Sequence, residues 1–139
     1  MKYYRHIVLM VDGSAKDSHL GGASQKTTGG YIAMAKSTKE EIGRSVSFGK
    51  GTSQEAEYRA LIAGLYGVMH TYNRWPTREI SVMAKSDCLV IVKQIKGQVR
   101  VKNPNLKALR DKVMRLSKQF GEFRIQYLPR SENIAHALT

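Results

Sequence analysis

Three extended segments precede the first helical period of this chain, and that order constrains the fold more than any single motif. Residues 5 to 11, "RHIVLMV", form an apolar run rich in β-branched side chains. It ends at Asp12-Gly13, which predicts a buried strand stopping at a turn. Residues 14 to 30, rich in glycine, serine and threonine, have no period and read as a loop. "YIAMA" and "IGRSVSF", separated by the polar "KSTKEE", read as two strands of a hairpin or meander.

From Thr52 to about Tyr72 the pattern becomes helical, with Ala56, Ala60, Leu61, Ala63, Leu65 and Val68 on or near one stripe. "REISVMAKSD", 78 to 87, alternates like a strand and runs into Asp87, and "DCLVIVKQIKG" is a short helix closed by Gly97. Leu106, Leu109, Val113, Leu116 and Phe120 mark a further helix stopped by Gly121. "EFRIQYL" alternates as a last strand, and "PRSENIAHALT" opens a final helix. The expected architecture is α/β: a mixed five-stranded sheet, its first three strands antiparallel and the rest parallel, flanked by helices. With 139 residues, no repeats and no linker composition, the chain reads as a single domain, 1–139.

Hydrophobic residues make up 42% of the chain, enough for a core. No run of roughly 18 apolar residues is present. The chain is therefore expected to be soluble and cytoplasmic, without a membrane partner, and a monomer. Twenty-three Lys and Arg against eleven Asp and Glu give a net charge of +12, which favours a polyanionic partner, nucleic acid before membrane. Solubility alone is the competing explanation, because the basic residues are dispersed. The single Cys88 excludes an internal disulfide and reads as packing, not as a nucleophile. His6 and His70 read as packing or surface residues.

Two glutamates two positions apart, Glu55 and Glu57, open the first helix, and neighbours at that spacing point to different faces. Thr52-x-x-Glu55 fits a capping box, which gives Glu55 a structural role. Glu57 lies one residue from the buried stripe, where a carboxylate is costly unless a cation meets it. If this helix packs on the sheet, Glu57 faces Asp12 and Asp87, each expected at the carboxyl end of a strand. The three acids then either share a divalent cation or are separate surface and capping acids.

Four segments, in order, carry a resemblance: "VDGSA", "TSQEAEYRALIAGL", "MAKSDCLVIVKQIKG" and "QYLPRSENIAHAL". From Tyr4 onward the chain resembles ribonuclease H of type 1. The pattern T-x-x-x-A-E-Y-x-A-L places the family's catalytic glutamate at Glu57, in agreement with the capping argument. The resemblance implies a ribonuclease H-like domain that hydrolyses the RNA strand of RNA/DNA hybrids. Two Mg²⁺ or Mn²⁺ ions about 4 Å apart would flank the scissile phosphate. Asp12, Glu57 and Asp87 would be catalytic ligands.

The family's fourth ligand is an aspartate in R-x-x-N-x-x-A-D-x-L, and here the chain departs from the pattern. With one residue deleted, His136 takes the aspartate's place; without a gap Ala137 falls there; Asn133 offers an amide oxygen one turn earlier. His136 is the favoured reading, because alanine cannot bind a metal and the leucine register is kept. Imidazole suits Mn²⁺ better than Mg²⁺, so manganese-preferring or weakened activity is expected. The alternative is a catalytically weakened or inactive module that binds hybrid or double-stranded nucleic acid.

The resemblance also implies nucleic-acid contacts at Gly13, Ser14, Lys50, Thr52, Ser53 and Gln54. Lys50 and Thr52 would take a DNA-strand phosphate beside the helix amides. Ser53 and Gln54 would reach the minor groove, and Gly13 would let the backbone approach a ribose 2′-hydroxyl. The basic protrusion of some relatives is missing from the short "GQVRVKNPN". Lys93, Lys96, Arg100, Lys102 and Lys107 could compensate, although a solvated face accounts for most of them. Lys16, His19 and Lys26 could touch nucleic acid from the loop 14–30, although a mobile surface loop is the favoured reading.

Overall fold

The computed structural model describes residues 3–15 and 26–135. Five strands form one sheet: β1 Arg5–Ala15, β2 Lys26–Ala35, β3 Glu41–Lys50, β4 Ile80–Ser86 and β5 Glu122–Tyr127, in the order β3-β2-β1-β4-β5. β1 and β3 pair antiparallel with β2, whereas β1–β4 and β4–β5 are parallel. The long connections carry the helices α1 Ser53–Thr71, α2 Leu89–Ile95 and α3 Pro104–Ser117. Parallel neighbours need such crossovers, because a hairpin turn can only reverse the chain.

Alternation along the central strands builds the core. Ile7, Leu9 and Val11 on β1 and Ile80, Val82 and Ala84 on β4 are all buried. The expected helical stripe of α1 meets them: Ala56, Ala60, Leu61, Leu65 and Val68 are buried, with Ala63 partly so. α3 supplies Leu106, Val113 and Leu116 to the same cluster. Each fully buried Leu or Ile contributes roughly 2–3 kcal/mol over leaving it in water.

Several boundaries differ from those read in the sequence. β1 does not stop at Asp12-Gly13 but continues to Ala15, with Asp12 opposite Gly30 and Gly13 opposite Gly29 on β2. Residues 26–30, read as loop, are therefore the first half of β2. Main-chain pairing overrides the weak strand propensity of these glycines, because each strand supplies a partner to the other. Lys26 accordingly sits on a strand, while the Lys16 and His19 expectations lie outside the described residues.

β4 begins at Ile80 after a 3₁₀ turn at Thr77–Glu79. α3 ends at Ser117, four residues before Gly121, yet Phe120 is still buried because the turn folds it back under the helix. Gly121 instead donates its N–H to the Ile80 carbonyl at 3.0 Å, where it leads into β5. After β5 the described part of the expected last helix, residues 129–135, is not α-helical but carries a 3₁₀ turn at Arg130–Glu132, and residues 136–139 lie outside the described residues. Among the described residues no helix is long and apolar enough to cross a membrane.

At Gly13 the sheet and the start of α1 approach so closely that there is no room for a side chain. A Cβ there would stand 2.3 Å from the backbone carbon of Ala56 and 2.5 Å from the nitrogen of Glu57. Both are main-chain atoms at the start of α1, so neither can rotate away. Gly13→Ala is therefore expected to cost roughly 2–3 kcal/mol or more in denaturant unfolding, because the helix must lift off the sheet.

Candidate metal centre and cleft

The register of the parallel pair positions two of the acids. Val11 is aligned with Ser86, the last residue of β4, so the next residue on each strand, Asp12 and Asp87, emerges at the same level. Asp12 is fully buried. Asp87 begins the connection to α2, whose first turn is tied by a hydrogen bond from the Cys88 N–H to Ser86 Oγ at 3.0 Å. Glu57 arrives from the opposite side on the second turn of α1, and the absence of a side chain at Gly13 lets it approach. One carboxylate oxygen from each of Asp12, Glu57 and Asp87 lies within 4.8 Å of the other two.

The capping argument that separates Glu55 from Glu57 holds in detail. Thr52 is the N-cap: its Oγ1 accepts the Glu55 N–H at 3.2 Å, and its own N–H donates to Glu55 Oε1 at 3.1 Å. Glu57 is oriented differently. The Gly13 N–H donates to its Oε1 at 3.1 Å, and the Ser86 hydroxyl donates to its Oε2 at 3.4 Å. The serine was not singled out in the sequence; its place just before Asp87 is the only signal it leaves there.

Electrostatics at this spot are unfavourable to three charges. Burial, above all, pushes the Glu57 carboxyl up to about 9, and the charges of Asp12 and Asp87 push the same way against the opposing Gly13 amide. Asp87 is also raised, first by burial and then by Asp12, while Asn133 and Arg130 pull it down. Three hard oxygen donors of one sign in a partly desolvated corner fit a divalent cation, and these three residues would hold it.

Asn133, considered above as a possible ligand, is buried and turned the other way. Its Nδ2 donates to the Val11 carbonyl at 2.9 Å and to Asp87 Oδ2 at 3.2 Å, while its Oδ1 accepts the Ala135 N–H at 3.1 Å. The amide oxygen is thus engaged, and the residue steadies Asp87. His136 and Ala137 lie outside the described residues.

The acids open into a cleft of about 300 Å³ lined by Gly13, Ser14, Ala15, Ser53, Gln54, Glu57, Asp87, Cys88 and Arg130. Four residues expected to touch nucleic acid, Gly13, Ser14, Ser53 and Gln54, stand on its wall. Lys50 and Thr52 do not line it; Lys50 is exposed at the end of β3, and the Thr52 hydroxyl serves the cap. Cys88 is half-buried against the core, and burial first of all raises its thiol, so it is a weak nucleophile. His6 and His70 are exposed, as are Lys93, Lys96, Arg100, Lys102 and Lys107.

This sheet order, with an acidic triad at the carboxyl end of its central parallel pair, is the ribonuclease H fold of type 1. The chain belongs to the reverse transcriptase-like family, whose sequence model matches residues 11–139. Its fold is similar to the N-terminal RNase H domain of Rv2228c from Mycobacterium tuberculosis, solved as a maltose-binding-protein fusion. That match has a TM-score of 0.81 and 25% identity, and it covers 97% of this chain and 91% of that one. LC11-RNase H1, solved in complex with an RNA/DNA hybrid, matches with a TM-score of 0.82 and 24% identity, covering 95% of this chain and 92% of that one. RNase H1 of the halophilic archaeon Halobacterium salinarum matches at 0.80 and 22%, covering 96% and 93%. Among sequences, the bifunctional protein Rv2228c of M. tuberculosis is 28% identical over 129 residues, 91% of this chain. The chain spans only 32% of that relative's length.

The raised carboxyls give stability a pH dependence. A folded-state pKa above the unfolded 4.5 means the Glu57 contribution is fully present below about pH 4.5 and is lost as pH climbs toward 9. Without divalent cation, the chain should lose on the order of 2–4 kcal/mol between pH 5 and 8. Glu57→Gln should flatten that loss in thermal melts. Mn²⁺ should raise the Tm of the wild type at pH 8 and leave that of the variant nearly unmoved.

Proposed function

We propose that the chain is a metal-dependent endoribonuclease that hydrolyses the RNA strand of RNA/DNA hybrids. The observation that carries this reading is the convergence of Asp12, Glu57 and Asp87 within 4.8 Å at the mouth of a cleft on a strongly basic chain. When bound, a pair of divalent cations supplies the Lewis acidity that activates water for in-line attack and stabilises the leaving 3′ oxygen. The chain's own residues provide the seat: Asp12 from β1, Glu57 held by the Gly13 amide and the Ser86 hydroxyl, and Asp87 steadied by Asn133. Arg130 lines the cleft and lowers the Asp87 carboxyl, so a cation stands close to where a phosphodiester enters.

In this reading the +12 charge holds the hybrid from both strands, with Lys50 and Thr52 at a DNA-strand phosphate and Gly13, Ser14, Ser53 and Gln54 in the groove. His136 fills the fourth ligand position, where an imidazole in place of a carboxylate removes one negative charge and favours Mn²⁺ over Mg²⁺. The protein acts as a monomer.

The test is incubation of the chain with a labelled hybrid. Cleavage of the RNA strand is expected in Mn²⁺, slower in Mg²⁺, and abolished by chelator. Asp12→Asn should lower the rate at least about 100-fold. His136→Ala should slow the Mn²⁺ reaction, and His136→Asp should gain Mg²⁺ activity. A shifted but uncut hybrid in both metals would leave a binding module in place of the enzyme.

A further inference from the structure

The connection from β3 into α1 is held by a residue that neither the capping box nor the acidic triad uses. Arg59, on the second turn of α1, reaches back along the helix, and its guanidinium meets three elements at once. One terminal nitrogen donates to the Lys50 carbonyl at 2.9 Å and to Thr27 Oγ1 on β2 at 3.0 Å. The other lies 3.6 Å from Glu55 Oε2, the same carboxylate that closes the cap through its Oε1. Thr27, fully buried, passes the restraint on by donating to the Gly49 carbonyl at 2.8 Å.

The guanidinium thus fixes the main chain before Gly51 directly, reaches the Thr52 amide after it through the Glu55 carboxylate, and lies against Gly51 itself. A Cβ at that residue would stand 2.7 Å from the Arg59 terminal nitrogen. The side chain is only 26% exposed. The planar fork of arginine can hold several acceptors in one geometry, which the point charge of lysine cannot.

We propose that Arg59 is a positioning residue for anion binding: by clamping the turn 49–52 it presents Lys50 and the capped start of α1 to a phosphate of the bound nucleic acid, without touching that phosphate itself. The inference deepens the hybrid-nuclease reading above and rests on it. Loosening the turn should weaken the hold on the substrate while leaving the triad, on the far side of the helix start, as it was. The effect belongs in KM and not in kcat.

Four variants separate this role from plain stability or plain charge. Arg59→Gln removes the clamp, Arg59→Lys keeps the charge and loses the fork, and Gly51→Ala displaces the guanidinium while keeping it. Arg115→Gln removes an exposed charge elsewhere. Because the Gly51→Ala clash is with the end of a flexible side chain, that variant tests the clamp even if Arg59→Gln folds poorly. Mn²⁺-dependent cleavage of a labelled hybrid and its anisotropy-measured affinity in Ca²⁺ are followed against salt.

The expected result for the first three variants is a rise of about tenfold in KM and in the dissociation constant, with kcat within about twofold. Their salt slope should be shallower by about one phosphate contact. Arg115→Gln should match the wild type. Wild-type KM in Gly51→Ala and Arg59→Gln would overturn the proposal, and so would full rescue by Arg59→Lys, which would assign the effect to charge alone. A wild-type chain that neither binds nor cuts the hybrid would overturn the nuclease reading and this inference together, whereas an active wild type with indifferent variants overturns only the clamp.

Discussion

Three carboxylates forced into one partly desolvated corner are the constraint around which the rest of this structure is arranged. Each of the supports around them serves to tolerate that repulsion. The Gly13 amide and the Ser86 hydroxyl donate to Glu57, and Asn133 donates to Asp87 from a segment 46 residues away in sequence. None of these donors cancels a whole charge, and burial leaves Glu57 holding its proton up to about pH 9. A fold selected for stability alone would have placed apolar side chains here, since buried charges of one sign destabilise the chain that carries them. Their presence is intelligible as a seat for cations.

The geometry of that seat follows from main-chain register more than from side-chain choice. The parallel pairing of Val11 with Ser86 sets Asp12 and Asp87 level, and a one-residue slip would turn one of them to the opposite face of the sheet. Gly13 contributes twice, through the amide it donates and through the Cβ it lacks. A nucleic-acid contact at Gly13 rests on the nuclease reading, but the packing of α1 already requires glycine there. The start of α1 is similarly shared: Thr52 caps the helix and Glu55 closes the box, which leaves Glu57 for the cleft.

Much of this was legible in the residues. The order of strands and helices, the amphipathic stripe of α1 and the separation of Glu55 from Glu57 by the capping rule all come from short-range periodicity and from hydrogen-bonding patterns a few residues long. The strand boundaries around Asp12 and residues 26–30 were not, because glycine-rich sequence carries no period and becomes strand only when another strand supplies the pairing. The end of α3 was misplaced for a related reason. Phe120 keeps the spacing of the helical stripe, yet it reaches the core from a turn.

By itself the sequence determined the class of fold, the helix cap and which glutamate the cap leaves over, since propensity, patterning and local capping act between near neighbours, while it was the resemblance that singled out the three acids together as one ligand set. Only the tertiary structure decided how close those acids stand, which polar groups hold them, and that Asn133 turns its amide nitrogen toward Asp87. It alone also revealed that Arg59 joins α1, β2 and the end of β3. Most of those relations run between residues 29 to 122 positions apart, or across strands whose register no local pattern encodes.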